Sequence, residues 1–202
     1  MKLIPDTLRP AFATLLTILA LSVISLAQTP RQVVPFNIKI KNFGQMDERF
    51  YRGAQPKTGD YQDLAQLGIK TVIDLRDNPT DYEKPAVEAL GMHYVNIPMS
   101  DKDYPREEQI AAFLKLVNNP ETGKFYVHCA GGRHRTGVMG AVYRFNLYHW
   151  NYDQVYKEMK DYDFYTRWGH GDMKKYVEDY WQRIQAGQVT PTADATHATA
   201  TR

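Results

Sequence analysis

The stretch HCAGGRHRTG, residues 128–137, follows the apolar run Lys124-Phe125-Tyr126-Val127 and holds the only cysteine of a 202-residue chain. A thiol that merely fills a core has no use for two glycines after it and for Arg133, His134 and Arg135 crowded beside it. The run before it reads as a strand, and RTGVMGAVYRFNLYHW after it reads as a long apolar helix. Between them the chain must turn sharply, and Gly131 and Gly132 supply the permissive dihedrals. Successive backbone N–H groups at the positive end of the helix then form a nest suited to a tetrahedral oxyanion.

That environment favours an ionised sulfur. A free cysteine titrates near about 8.5 and falls by roughly one to several units beside cations or at a helix N-terminus. Cys129 is accordingly expected to be a nucleophile. Arg135, six residues on, can grip two phosphate oxygens in a bidentate manner that lysine cannot copy. Thr136 can donate its hydroxyl to the sulfur, and His128 is expected to orient the loop through hydrogen bonds rather than to act as a base. The expected phosphate-binding positions are Ala130, Gly131, Gly132, Arg133, His134 and Arg135.

Outward from the loop, strands and helices alternate. IKTVIDLR (69–76), MHYVNIP (92–98) and KFYVHC (124–129) read as strands, with Arg49–Arg52 as an earlier one ended by a turn at Gly53-Ala54-Gln55-Pro56. Helices are expected over 60–67, 81–90 and 106–117, then after the cysteine loop, then near 154–161 with Asp153 as cap, and over 172–185. The pattern predicts a single α/β domain with a mainly parallel central sheet of four to five strands flanked by helices. Ligands of such folds sit beyond the carboxyl ends of the strands, where His128 and Cys129 fall.

The ends of the chain read differently. Lys2 and Arg9 precede the apolar segment 11–27, which closes on the small residues Ser25 and Ala27, the pattern of a secretory signal peptide. The segment is short for a span of about 20 residues, so cleavage near Ala27 and an exported location, periplasmic or secreted, are expected rather than a retained anchor. No cysteine lies there to be lipidated. Cleavage would leave 23 basic against 22 acidic residues. Residues 28–42 read as a linker, 43–185 as the domain, and the Thr/Ala-rich 186–202 as a disordered tail. With a formal charge of +2 and no basic run, nucleic-acid binding is not expected, nor is membrane association once the signal is removed.

The arrangement H-C-x-x-G-x-x-R-T-G resembles the signature of the cysteine-dependent protein tyrosine and dual-specificity phosphatases. Arg133-His134 before Arg135-Thr136-Gly137 narrows the resemblance to the plant and fungal atypical dual-specificity phosphatases and their bacterial relatives. YRGAQP (51–56), IKTVIDLR (69–76) and YVNIPMSDKDYP (94–105) are similar to stretches of that family, and the likeness spans about residues 43–183. The resemblance implies hydrolysis of phosphate monoesters through a cysteinyl-phosphate, with phosphoproteins as substrates and no metal or cofactor.

It also implies a general acid on the loop after the preceding strand, here SDKDYP (100–105). Asp101 stands where related enzymes with a D-x-x-x-P loop carry the acid, Pro105 being the proline, and Asp103 is the competitor. Two other readings keep parts of this chemistry. Arg133 and His134 at the pocket rim would suit a substrate with several phosphates, such as an inositol polyphosphate or pyrophosphate. A phosphate-binding module without turnover is the other, although such modules usually lack one of Cys129, Arg135 and the aspartate. Rhodanese-like sulfur transfer fits less well with five residues between Cys129 and Arg135, and a low-molecular-weight phosphatase would carry its cysteine loop near the N-terminus. Arg52 and Arg76 follow strands and could approach the site, although arginines at strand ends are commonly surface residues; Lys174 and Lys175 read as a solvated helix face. Tyr148, Trp150, Tyr152, Tyr156, Tyr162, Phe164 and Trp168 read as helix packing. His149 and His170 have no partners at metal-site spacing.

Overall fold

The cysteine strand is the middle of the sheet. In a computed structural model describing residues 38–189, the elements run β1 (Gly44–Gln45), β2 (Phe50–Ala54), α1 (Asp60–Gln66), β3 (Ile69–Arg76), α2 (Glu83–Glu88), β4 (His93–Met99), α3 (Glu107–Val117), β5 (Lys124–Cys129), α4 (His134–Leu147), α5 (Tyr152–Asp161) and α6 (Gly171–Gln185). The strand order is β1-β2-β5-β3-β4; β5 pairs in parallel with β2 and β3, β3 with β4, and only β1 runs antiparallel. The expected α/β architecture is therefore what forms, with five strands. The expected signal segment and most of the tail lie outside the described residues.

Strand alternation divides the interior into two cores. Phe125, Val127 and Cys129 of β5 face a core shared with α3, α4, α5 and α6. Tyr126 packs on the other side, against Tyr61 and Leu64 of α1 and Val87 of α2. Helix α4 is buried along its whole length, so it has no polar face to show. Its Arg144 is tied to Glu158 of α5 at 2.7 Å.

Several local expectations need correction. Gly53 and Ala54 continue strand β2, because they pair with His128 and Cys129 of β5. Asn151, not Asp153, caps α5: its side chain accepts from the Gln154 N–H, and the Gln154 side chain accepts from the Asn151 N–H, a reciprocal capping box. The expected linker reaches into the domain, since Ile40 is a buried member of the α1–α2 core. Trp168 is no packing residue; it is 73 % exposed.

Candidate active site

Cys129 ends β5 beside Ala54 of β2 and is only 4 % exposed, its side chain on the four-helix face. Beyond it three consecutive carbonyls are turned away from the loop's interior and held there. The Ala130 carbonyl accepts from the Gln55 backbone N–H at 3.3 Å. The Gly131 carbonyl accepts from Asn42 Nδ2 at 2.9 Å. The Gly132 carbonyl accepts from Arg52 Nη2 at 2.7 Å. Pinning a peptide's C=O outward sends the following N–H inward, which is how the nest expected from the two glycines is built.

The two glycines are not equivalent. Gly132 has φ +65°, and a Cβ there would stand 2.4 Å from the Gly53 carbonyl carbon and 2.5 Å from its oxygen. A Cβ at Gly131 would meet only the Arg133 side chain, at 3.8 Å. The close approach of β2 to the loop is thus what demands glycine at 132.

The thiol sits below its ordinary range. Burial pushes it up, but the Thr136 hydroxyl, the Arg135 charge and the backbone N–H groups of Thr136 and Arg133 together outweigh burial. The Thr136 hydroxyl is buried and makes no hydrogen bond of ordinary geometry. The nearby sulfur, once ionised, is the acceptor it has. Arg135 is buried, and its Nη1 donates to Asp77 Oδ1 and to the Met99 carbonyl, both at 2.9 Å. Those contacts, at the carboxyl ends of β3 and β4, fix the plane of the guanidinium. The edge formed by Nε and Nη2 makes no hydrogen bond among the described residues and is available for a bidentate ligand.

His128 points to the opposite side of the sheet from Cys129, as alternation requires. Its Nε2 stands 2.8 Å from Glu83 Oε1 and its Nδ1 3.8 Å from Asp74 Oδ1, close contacts rather than aligned hydrogen bonds. Asp74, Glu83 and His128 are the one buried grouping of metal-ligand type among the described residues. Arg76 already supplies that cluster with a cation, meeting Asp74 at 3.2 Å and Glu83 at 3.5 Å. Burial raises the Asp74 carboxyl, yet His128 and Arg76 outweigh it and hold it below its usual value. The donors a metal would need are thus committed to a guanidinium.

The basic pair diverges from expectation. Arg133 lies over the Tyr165 ring at 5.8 Å and 3.6 Å from Asp163, beside an open recess of ≈ 520 Å³ also lined by Lys160, Arg167 and Trp168. His134 is not at the rim. It is buried, stacked on His170 with ring centroids 3.6 Å apart, and Tyr165 meets its face edge-on at 4.4 Å. Burial and then the His170 ring push its pKa down to about 4, so it brings no charge to a phosphate at neutral pH.

Asp101 and Asp103 are both exposed on the loop after β4. The Asp101 carboxylate is close enough to act on His134 of the cysteine loop. Asp103 lines a recess of ≈ 250 Å³ with Tyr104, Arg106 and Gln109 and with Asp77 and Met99, the two partners of Arg135. Cys129 lines neither recess. Of the two readings open for Arg52 and Arg76, the structure has them buried rather than on the surface, because β2 and β3 flank the cysteine strand. Lys174 and Lys175 pair with Glu178 and Asp179 along α6.

Comparison with known proteins follows the same line. Residues 32–173 match the family described as DSP-PTPase phosphatase fused to NAD+ kinase. The "Probable tyrosine-protein phosphatase DG1060" of Dictyostelium discoideum is 27 % identical over 154 residues, covering 74 % of this chain and 89 % of its own. Among solved structures, Pseudomonas aeruginosa TpbA superposes with a TM-score of 0.62 at 22 % identity, over 78 % of this chain and 98 % of that one. The core catalytic domain of the PP-IP phosphatase SIW14 of Saccharomyces cerevisiae gives 0.59 at 21 % identity, over 74 % and 93 %. These two share the fold. With a family match over most of its length, the chain belongs to the DSP-PTPase phosphatases, the cysteine-based tyrosine and dual-specificity enzymes of the atypical kind.

Proposed function

We propose that this chain hydrolyses phosphate monoesters by transferring the phosphoryl group to Cys129 Sγ and then to water. The observation that carries the reading is the cradle: a thiol held below its ordinary pKa, three carbonyls pinned outward, and one free guanidinium edge on Arg135. In the first step the thiolate attacks phosphorus in line, the ester P–O bond breaks, and Asp101 protonates the departing oxygen. In the second, Asp101 as carboxylate takes a proton from water, the new P–O bond forms, and the P–S bond breaks to return the thiolate. Inward N–H groups and Arg135 hold the equatorial oxygens in both steps. Thr136 stabilises the sulfur as it leaves, and His128, set between Asp74 and Glu83, fixes the strand end from below.

A second reading concerns substrate. Arg133, Lys160 and Arg167 line the recess beside the cradle, with Asp163 as its only acid, so an inositol polyphosphate or pyrophosphate is favoured over a singly phosphorylated peptide. The SIW14 neighbour is described as a PP-IP phosphatase, which supports the same direction. The basic start and apolar segment 11–27 support an exported enzyme, and no helix among the described residues is long and apolar enough to cross a membrane.

The test is phosphate release by the purified chain, kept reduced, from a phosphotyrosine peptide and from inositol polyphosphates side by side, with Cys129→Ser as blank. Preference for the peptide makes the recess incidental; preference for the polyphosphate makes Arg133, Lys160 and Arg167 part of recognition. No release above the blank from either would leave a phosphate-binding module.

A further inference from the structure

His170 makes a contact that joins the two loops of the proposed reaction. Its Nδ1 lies 2.8 Å from the Asp101 backbone carbonyl, 69 residues away. A carbonyl oxygen only accepts, so Nδ1 is the donor of this bond. The other face of the same ring is stacked on His134, 3.6 Å between centroids and 12° from parallel. Tyr165 meets both rings edge-on, at 4.4 Å and 5.5 Å. His170 itself is 8 % exposed and begins α6. One buried ring thus touches the second residue before the signature Thr136 and the backbone of the residue carrying the acid.

The rest of the acid loop is fastened to the same helix. Tyr104 donates its hydroxyl to Asp179 Oδ2 at 2.9 Å and packs edge-on against Tyr176 at 5.0 Å. The Lys102 stem lies against Gly169, where a Cβ would be 3.4 Å from its Cδ. Within the loop the Ser100 hydroxyl accepts from the backbone N–H groups of Lys102 and Asp103 at 3.3 Å and 3.2 Å. These ties hold the loop's shape and its far end. Arg135 holds the Met99 carbonyl at the start of this segment, and among the described residues His170 is the side chain that bonds the Asp101 backbone itself.

We propose that His170 is a positioning residue for catalysis, clasping the Asp101 loop to the cysteine loop through one N–H···O bond and one ring stack. The inference rests on Asp101 being the general acid. Its role is geometric: a carboxyl that protonates a leaving oxygen must be within hydrogen-bond reach of it, and His170 fixes the backbone that carries that carboxyl.

The experiment compares full-length His170→Phe, His170→Asn and Asp101→Asn on phenyl phosphate, whose leaving group needs a proton, and p-nitrophenyl phosphate, whose leaving group needs it far less. His170→Phe keeps a ring for the stack and removes the donor; the expected result is a loss of roughly 10- to 100-fold in kcat on phenyl phosphate, several times larger than on the nitrophenyl ester. His170→Asn, whose amide N–H can replace Nδ1–H, should recover part of that difference. In the Asp101→Asn background, His170→Phe should cost nothing more, since the two act as one unit. Inhibition by inorganic phosphate checks that the cradle is intact. Equal losses on both esters, or additive losses in the double variant, would overturn the proposal. If Asp101→Asn itself shows no leaving-group dependence, the acid assignment falls first and the clasp with it.

Discussion

Arg52 Nη2 donates to the Gly132 carbonyl at 2.7 Å across 80 residues of sequence, and this bond supports the cysteine loop from beneath. The guanidinium is buried, with its carbon 4.0 Å over the Tyr162 ring. Replacing it with methionine leaves the Gly132 carbonyl without a donor, free to rotate toward the anion it should face away from. Arg52→Met is expected to lower kcat/KM on the order of 100-fold, the scale of a small misplacement of reacting groups. Inorganic phosphate should inhibit the variant more weakly. Wild-type kinetics would mean that Gln55 and Asn42 hold the loop without it.

The glycine pair gives an ordered prediction. Gly132→Ala strains a positive-φ residue by about 1–2 kcal/mol and also drives a Cβ into the Gly53 backbone. Turnover and phosphate binding should both collapse. Gly131→Ala meets only a movable arginine side chain and should keep most of its activity. Titration of phosphate inhibition in both variants decides it, and the reverse order would refute the close approach of β2.

Thr136 sets the pH at which the sulfur is ionised. The folded protein holds the thiol below its ordinary value, so the thiolate fraction is already high below the pH where a free cysteine titrates. Thr136→Val removes the largest of the lowering contacts while burial remains, so the midpoint must move to higher pH. Alkylation of Cys129 by iodoacetamide across pH should show that upward shift, and the rising limb of activity should move with it. An unmoved midpoint would mean that Arg135 and the backbone N–H groups suffice.

The two loop aspartates separate on leaving-group dependence. Asp101→Asn is expected to lose about 10²–10⁴ in rate on poor leaving groups. Asp103→Asn, altering a residue that lines the recess with Tyr104, Arg106 and Gln109, should keep the wild-type dependence on leaving group. The opposite pattern would exchange their roles.

What the sequence made legible was local. The strand, turn and helix around Cys129 lie within one continuous stretch, where punctuation and periodicity operate, and so do the strands at 69–76 and 124–129. The supports of the loop were not legible, because each comes from a distant segment. Asn42, Arg52 and Asp77 reach it across 89, 80 and 58 residues, through a strand order that places β2 beside β5. A polar residue at a strand end reads as solvated unless that neighbour is known, which is why the sequence alone does not decide between surface and site for Arg52 and Arg76. His134 was misread for the same reason, its partner lying in the turn before α6. Strand β1, two residues long, carries no periodicity to read.

The single buried thiol has a redox consequence. An ionised sulfur reacts with peroxide to give a sulfenic acid, which many thiol enzymes rescue by closing a disulfide with a neighbouring cysteine. This chain has no second cysteine, so an oxidised Cys129 has no resolving partner of its own and must be reduced by a thiol from outside. At 4 % exposure, the residue offers little surface to oxidant or reductant. A phosphate bound against the sulfur is expected to slow its oxidation, which peroxide inactivation with and without inorganic phosphate would measure.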